Sequence, residues 1–518
     1  MQRLILVTPE AEVSLTKQSS LSHSEDCLFI LHWDSWSVPE GHYSLPFLLQ
    51  SKLERIRSEH AAWAYELGST YIEGKRVDEW LLGGETLSMW WCSLLYERHP
   101  KMTPSLYSIF RLRALELFLK EKKAESILLL GGDQRLATTL RGFCCTTNRL
   151  FSWRPCQEEN KTSQFLSHCY QALPSLCKAV VRFVDWLLRV KRHLPRTFLQ
   201  KSTQKTATIV TYFPNIDMEK AKEGRFLSRY WESLHTTLNH EAEKEGAHFV
   251  RWLFIRFPSP QGSLPALHAL CDRFTKEKKD GLSFHYLEEF VSTKDLLLVW
   301  KRFLALRKAS FFLEKHLLPL FHLPSSFINF AAYLHDDFKE SFRGWRCLER
   351  CMQYQGIRTL VREAGPARWT LFPLENCPWE RMVTHAVHDM GFGPVYGAQH
   401  STLRPTDLRY FDDPRIFSSV ETGIPVPDRI LGNGKSAFTQ WESAGVPRQK
   451  LGMVEALRYL YLAGNDVETV EENDAEAEAP RTRKTLLVLT SFFKDETEEH
   501  MRLFVEAYAK GLFDGWHL

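Results

Sequence analysis

The residues with the most chemistry per unit length run from Leu371 to Tyr410, LFPLENCPWERMVTHAVHDMGFGPVYGAQHSTLRPTDLRY. Glu375 and Asn376 follow an apolar run, Trp369–Phe372, that reads as a strand. Pro378 suits the first turn of a helix, which puts Glu380 in that turn. Gly391 and Gly393 stop the helix, a short strand follows, and Gln399, His400, Ser401 and Thr402 emerge at its carboxyl end. In open α/β sheets that end is where ligands bind. One pair of loops therefore gathers two carboxylates, an imidazole, hydroxyls and Arg404, an inventory suited to acid–base work on a sugar or phosphate ligand. Each residue also has a plain structural reading. Glu380 could cap first-turn amides, His400 could be a hydrogen-bonded core histidine, and Arg404 and Asp407 could pair with each other.

Two further loops hold candidate ligand groups. Gly131-Gly132-Asp133 directly follows the strand Ser126–Leu130 and reads as a tight βα turn, or as a loop in which Asp133 faces a ligand. Lys435 closes LGNGK (Leu431–Lys435), at a helix start. The adjacent pairs Asp336-Asp337 and Asp412-Asp413 read as caps or solvated turns, so no acidic metal-binding loop is expected.

Short apolar runs alternate with amphipathic helices over most of the chain, the pattern of an α/β fold. Strands are expected at Leu4–Val7, Cys27–Leu31, Ser126–Leu130, Thr208–Phe213, Phe249–Ile255, Trp369–Phe372, Val395–Ala398, Ile430–Leu431 and Leu486–Leu489. Two regions read as helical insertions, at about 100–125 and 164–200. Tyr107–Lys123 aligns Ile109, Leu112, Leu115 and Leu119 on one face. Gln164–Leu194, broken by Pro174, carries Leu176, Val180, Phe183, Trp186, Leu187 and Val190 on its apolar side. Its polar side and tail hold Lys178, Arg182, Arg189, Lys191, Arg192 and Arg196. A basic amphipathic helix of this kind is expected either to pack with a solvated face or to dock on an anionic membrane surface through residues 164–196.

The 518 residues are 44% hydrophobic and 25% charged, which excludes a disordered or collagen-like chain. With 66 basic and 63 acidic residues, there is no electrostatic case for a nucleic-acid partner. The 11 cysteines are scattered and no CxxC occurs, so zinc-ribbon and thioredoxin-like readings fail and reduced, buried thiols in a cytoplasmic compartment are expected. No signal peptide or membrane-spanning stretch is legible. NDVETVEENDAEAEAP (Asn465–Pro480) reads as an acidic linker, with residues 481–518 beyond it.

Several strings resemble the bacterial surface carbohydrate biosynthesis proteins of O-antigen loci. They are ETLSMWWCSLLYERH (Glu85–His99), TYFPNIDMEKAKEGRFLSRYWESL (Thr211–Leu234), LENCPWERM, GAQHSTLRPTDLRYF and VEALRYLYL (Val454–Leu462). That family in turn resembles GT-B glycosyltransferases, including those using CMP-activated ulosonic acids. The resemblance implies a Rossmann-like, two-lobed enzyme that moves a sugar from a nucleotide-sugar donor to a lipid-linked glycan at the inner face of the cytoplasmic membrane, with no bound cofactor or metal. It casts Glu380, His400 and Glu375 as candidates for the proton-transfer or covalent step. Arg404, Arg409 and Lys435 are candidates for the donor phosphates, and Gln399, Ser401, Asp407 and Asp133 for substrate contacts. On this reading residues 1–464 form a first lobe and 481–518 the start of an incomplete second one. The rival expectation is a non-catalytic interaction protein of surface-glycan assembly.

Overall fold

The computed structural model describes residues 2–15, 28–99, 102–156, 173–199, 206–231, 234, 237, 249–257, 260–276, 282–404, 407–418, 423–456, 486–490, 494–513 and 516. The chain divides into two compact units, Met1–Leu460 and Tyr461–Leu518.

The first unit contains two parallel sheets. Strands β1 (Arg3–Val7), β2 (Leu28–His32) and β3 (Tyr43–Ser44) are followed by a small antiparallel hairpin, β4 (Tyr71–Ile72) and β5 (Lys75–Arg76), and then by β6 (Ser126–Leu130) and β7 (Leu150–Arg154). The first sheet runs β3-β2-β1-β6-β7. The second is built from β8 (Thr206–Phe213), β9 (Phe249–Arg256), β10 (Leu282–Tyr286), β11 (Trp369–Pro373), β12 (Val395–Ala398), β13 (Arg429–Gly432) and β14 (Leu451–Met453), in the order β10-β9-β8-β11-β12-β13-β14. In both, the chain winds outward from a central strand, then crosses back to the other side. This reversal opens a crevice at the carboxyl ends of β1 and β6 in one sheet, and of β8 and β11 in the other, where doubly wound folds bind ligands.

The strands form where the sequence is continuously apolar, because a parallel sheet is covered on both faces. Leu4, Leu6, Val7, Ile127 and Leu129 are buried in the first sheet, and Ile209, Phe213, Trp252 and Phe254 in the second. Helices Leu45–Ser69 and Ser105–Glu121 flank the first sheet and meet the turn after helix Thr293–Leu317. There the Trp63 indole donates to the Leu320 carbonyl at 3.1 Å, and the Phe327 amide donates to Glu116 at 2.7 Å. The segment Glu85–His99 is packed inside this layer. The Trp90 indole donates to the Ala64 carbonyl at 3.1 Å. A Cβ on Gly68 would lie 2.4 Å from the Trp90 ring, so only glycine lets the helix and indole meet there.

Three expectations change. Ser105–Glu121 is a core crossover helix leading into β6 rather than an insertion, with Ile109, Leu112, Leu115 and Leu119 all buried. The second parallel sheet lies within residues 206–453, not beyond Leu486. Leu486–Thr490 pairs with no strand among the described residues, and Leu487 is 76% exposed. The second unit, taken by itself, is described mainly by helix Lys494–Ala509. The linker Asn465–Pro480, residues 164–172 and most of VEALRYLYL lie outside the described residues. Strands β3, β7, β10 and β14 and the β4–β5 hairpin carried no signal strong enough to be expected from sequence. No helix among the described residues is long and apolar enough to cross a membrane.

Candidate functional site

The loop after β11 is shaped by one carboxylate. Pro378 opens helix Pro378–Asp389, and Glu380 in its first turn folds back onto the loop. Its oxygens accept from the backbone amides of Glu375 (3.0 and 3.2 Å), Asn376 (2.9 Å) and Cys377 (3.1 Å). Glu380 is only 2% exposed. Burial, with Glu375 nearby, pushes its pKa well up, and the amides oppose that push. With both oxygens engaged by backbone, Glu380 holds the loop, with Asn376 in the left-handed region at φ 57°, and so sets the position of Glu375.

Glu375 itself faces the end of β12. Its Oε1 lies 3.2 Å from His400 Nε2 and 3.7 Å from Arg409 Nη1. Burial raises the Glu375 pKa, but the His400 hydrogen bond and the charges of His400, Arg409 and His99 outweigh it and leave it below the usual carboxylate value. Glu375 accepts from His400 Nε2, which leaves Nδ1 as the ring nitrogen turned away from the carboxylate. That nitrogen is buried with no hydrogen-bond partner among the described residues, and the His400 side chain is 4% exposed. The Tyr230 ring packs edge-on against the imidazole at 4.5 Å between centroids.

The surrounding groups fix this pair. Arg409 makes a two-pronged contact to Asp407 at 2.8 and 2.6 Å, which raises its pKa against the effect of burial. Ser401 and Tyr410 hydroxyls meet at 2.9 Å. Gln399 donates to the Ser401 carbonyl at 2.7 Å and accepts from the Asn433 amide at 3.0 Å, tying the β12 and β13 loops together. Beneath lies a buried ionic floor. Asp412 accepts from Arg381 (3.1 Å), Tyr96 (3.1 Å) and Arg98, and Arg381 also reaches Asn376. A small cavity lined by Leu374, Asn376, Arg381, Arg409, Tyr410 and Trp441 opens here.

Glu375, His400, Gln399, Ser401, Asp407 and Arg409 are thus brought together, with Glu380 behind them. Arg404 lies exposed at the end of the same loop and makes no ion pair among the described residues. Lys435 is exposed at the start of helix Lys435–Ser443, one strand over. Asp133 belongs to the other sheet, where it caps helix Gln134–Thr146 by accepting from the Leu136 amide at 2.8 Å. Sequence reasoning missed Arg98, His99, Tyr230, Arg381 and Asp412 as site residues. Arg98, His99, Tyr230 and Arg381 sit inside strings that carried the family resemblance, but nothing local links positions more than a hundred residues apart.

The first crevice is occupied differently. Gly131 and Gly132 adopt φ +76° and +74°, and a Cβ on Gly131 would fall 2.2 Å from Thr8 Oγ1. The Glu10 carboxylate is held below its ordinary pKa by the Thr8 hydroxyl, with the Gly132 amide adding to the effect. An anion from the chain itself therefore sits at the helix N-terminus that a phosphate would favour.

The class these observations define is an α/β protein with two Rossmann-like parallel sheets, each with a polar crevice at its switch point. No protein-family profile matches the chain, and no curated protein matches it. Among solved structures it is similar to the adenylation, ketoreductase and pseudo-Asub domains of a keto acid-selecting NRPS module, at 11% identity and TM-score 0.19, across all of this chain and 42% of that one. The chain thus spans less than half the length of that protein. It is also similar to UDP-GlcNAc 2-epimerase from Neisseria meningitidis bound to UDP-GlcNAc, at 9% identity and TM-score 0.17, covering 89% of this chain and 99% of that one. Likenesses of this size carry no functional argument.

Proposed function

We propose that the chain is a glycosyltransferase-like enzyme of bacterial surface-polysaccharide assembly, moving a sugar from a nucleotide-activated donor, with a CMP-sugar first among the candidates, to a lipid-linked glycan. The observation that carries this reading is the Glu375–His400 pair, 3.2 Å apart at the carboxyl ends of adjacent parallel strands with Arg409 beside it. The family resemblance of the surrounding strings supports it. In this reading Glu375 is the nucleophile toward the anomeric centre, held in place by the hydrogen bond from His400 Nε2. Glu380 is a positioning residue. Arg409, with the exposed Arg404 and Lys435, receives the donor phosphates, since guanidinium forks suit phosphate oxygens. Gln399, Ser401 and Asp407 hold these groups in register.

The lipid-linked acceptor calls for a membrane-facing surface. The Phe183, Trp186 and Leu187 face expected for that role is turned inward, with Phe183 edge-on to Trp300 at 5.3 Å. A different stripe of helix Ser175–Arg189 is exposed. Val180, Val181, Val184 and Leu188 fall within an arc of about 100°, and Leu188 is 60% exposed. On helix Thr293–Leu317, Leu297 (74% exposed), Leu304 and Phe311 alternate with exposed Lys301, Lys308 and Lys315. Leucine and phenylalanine interleaved with lysine fit an anionic lipid surface.

Calorimetric titration of the full chain with CMP, UDP and GDP tests the donor assignment. Binding of one of them is expected, with Glu375→Gln lowering transfer about 100-fold while binding persists. Absence of nucleotide binding at millimolar concentration would overturn the proposal in favour of a non-catalytic interaction protein.

A further inference from the structure

A second cluster of titratable groups lies at the carboxyl edge of the five-stranded sheet, on the loop His32–His42 and the helix after β1. Glu12 Oε1 is 2.8 Å from His32 Nδ1 and also accepts from the Ser35 hydroxyl. His32 Nε2 is 2.9 Å from His42 Nδ1, and the two rings stack at 5.2 Å between centroids. His32 is buried, His42 is half-buried, and Trp36 on the same loop is exposed. We infer that Glu12, His32 and His42 form a proton relay whose outer nitrogen, His42 Nε2, acts as general base toward a hydroxyl of a bound saccharide, with the Trp36 indole as the stacking surface.

The geometry dictates the direction of the relay. An ionised Glu12 accepts the Nδ1 hydrogen of His32, leaving His32 Nε2 as acceptor. His42 must then donate from Nδ1, so its Nε2 carries the lone pair. When a hydroxyl is deprotonated, its O–H bond breaks and an Nε2–H bond forms on His42. The electron pair stays on the oxygen, which bonds to the anomeric carbon of the activated sugar while that carbon's bond to its departing oxygen breaks and the departing oxygen keeps that bond's electron pair. The Nδ1 proton of His42 passes to His32 Nε2, so the positive charge rests on the ring beside Glu12. Burial and the neighbouring His32 hold the His42 pKa below its ordinary value, which keeps the ring neutral and so free to accept a proton near pH 7. Of the carboxylates on the same loop, Asp34 is paired with Arg111 of helix Ser105–Glu121, and Glu40 is exposed to solvent. Tyr107 on that helix lies within electrostatic reach of Arg111 and of Asp407 and Arg409.

The identity of the hydroxyl as the acceptor of glycosyl transfer rests on the function proposed above, whereas the relay does not. Nitrogen-15 NMR of the histidines in the full chain reads the relay alone. It is expected to show His42 protonated at Nδ1 and titrating below the usual histidine range, with Glu12→Gln changing the His32 tautomer and shifting His42 as well. Independent titration of the two rings, unmoved by Glu12→Gln, would overturn the relay. So would tight stoichiometric binding of Zn²⁺ that broadens both rings, since that would mark a metal site. In a transfer assay, His42→Gln is expected to cut turnover about 100-fold with nucleotide affinity unchanged, and Glu12→Asp to restore part of the loss seen in Glu12→Gln. Intact NMR coupling without nucleotide binding would sink the transferase reading and leave the relay standing. Unchanged turnover in His42→Gln would sink the general-base role.

Discussion

The two crevices of the first unit are built on the same strand order, and each pairs a carboxylate with an imidazole at the carboxyl edge of its sheet. Glu12 meets His32 at 2.8 Å in the first, and Glu375 meets His400 at 3.2 Å in the second. Each also has a second carboxylate, Glu10 or Glu380, engaged with loop amides. They differ in burial. Glu380 and His400 are sealed over an ionic floor, whereas Glu10 is exposed and the His32 imidazole passes its hydrogen bond outward to a second, half-buried histidine. The same topology therefore yields a more deeply buried pair in one sheet and a relay that runs outward in the other. The deciding variable is what packs beneath the strand ends rather than the order of the strands.

Removing the ionic floor should break this contrast most severely. Asp412→Ala leaves Arg98 and Arg381 buried without their counter-charge and is expected to destabilise the fold by about 3–5 kcal/mol in urea unfolding. Burial raises the Asp412 pKa, but Arg98 and Arg381 outweigh it, so the folded value lies below the ordinary 3.8. The stability it contributes is therefore present above that value and lost as pH falls through the folded pKa. Asp412→Ala should flatten the acid limb of the stability profile, and an unchanged limb would contradict the role of the floor.

The two amide-bound carboxylates offer a matched pair. Glu380→Gln keeps one acceptor but turns an NH₂ group toward backbone donors, a loss of about 2 kcal/mol. Glu10→Gln, exposed and screened by solvent, should cost under about 1 kcal/mol. Equal losses in chemical denaturation would show that burial does not separate the crevices. Gly131→Ala combines a positive φ with a contact that Thr8 can relieve only by rotating, and about 1–2 kcal/mol is expected. The smallest effect on stability belongs to Val184→Ser with Leu188→Ser on the exposed stripe, within about 0.5 kcal/mol. That double variant should nevertheless lose flotation with anionic liposomes. Equal recovery of the unaltered chain with neutral liposomes would remove the electrostatic part of the membrane reading.

The linear sequence was legible where chemistry is local. Continuous apolar runs marked β1, β2, β6, β8, β9, β11, β12 and β13, because a strand covered on both faces must be apolar throughout. Pro378 and the spacing to Glu380 announced a capped helix start, and Glu375 and His400 were visible as polar residues at strand ends. Short or edge strands were not legible. β3 and β14 have only two or three residues, and β7 alternates exposed and half-buried positions, so a periodicity signal has nothing to accumulate over. The apolar run Leu486–Thr490 read as a strand and is none, because strand formation depends on a partner that the run itself does not encode.

The amino-acid sequence by itself determined the α/β class, the strand ends that carry polar residues, and the capping carboxylate at 380. Only the tertiary structure decided that residues 206–453 form a second parallel sheet. The same is true of the meeting of Arg98 and Asp412 under the site, of Phe183 and Trp186 turning inward while Val184 and Leu188 face solvent, and of Glu12, His32 and His42 falling into line. Local pattern is set by the geometry of the backbone over a few residues. Those meetings depend on which distant surfaces exclude water together, and no spacing along the chain records that.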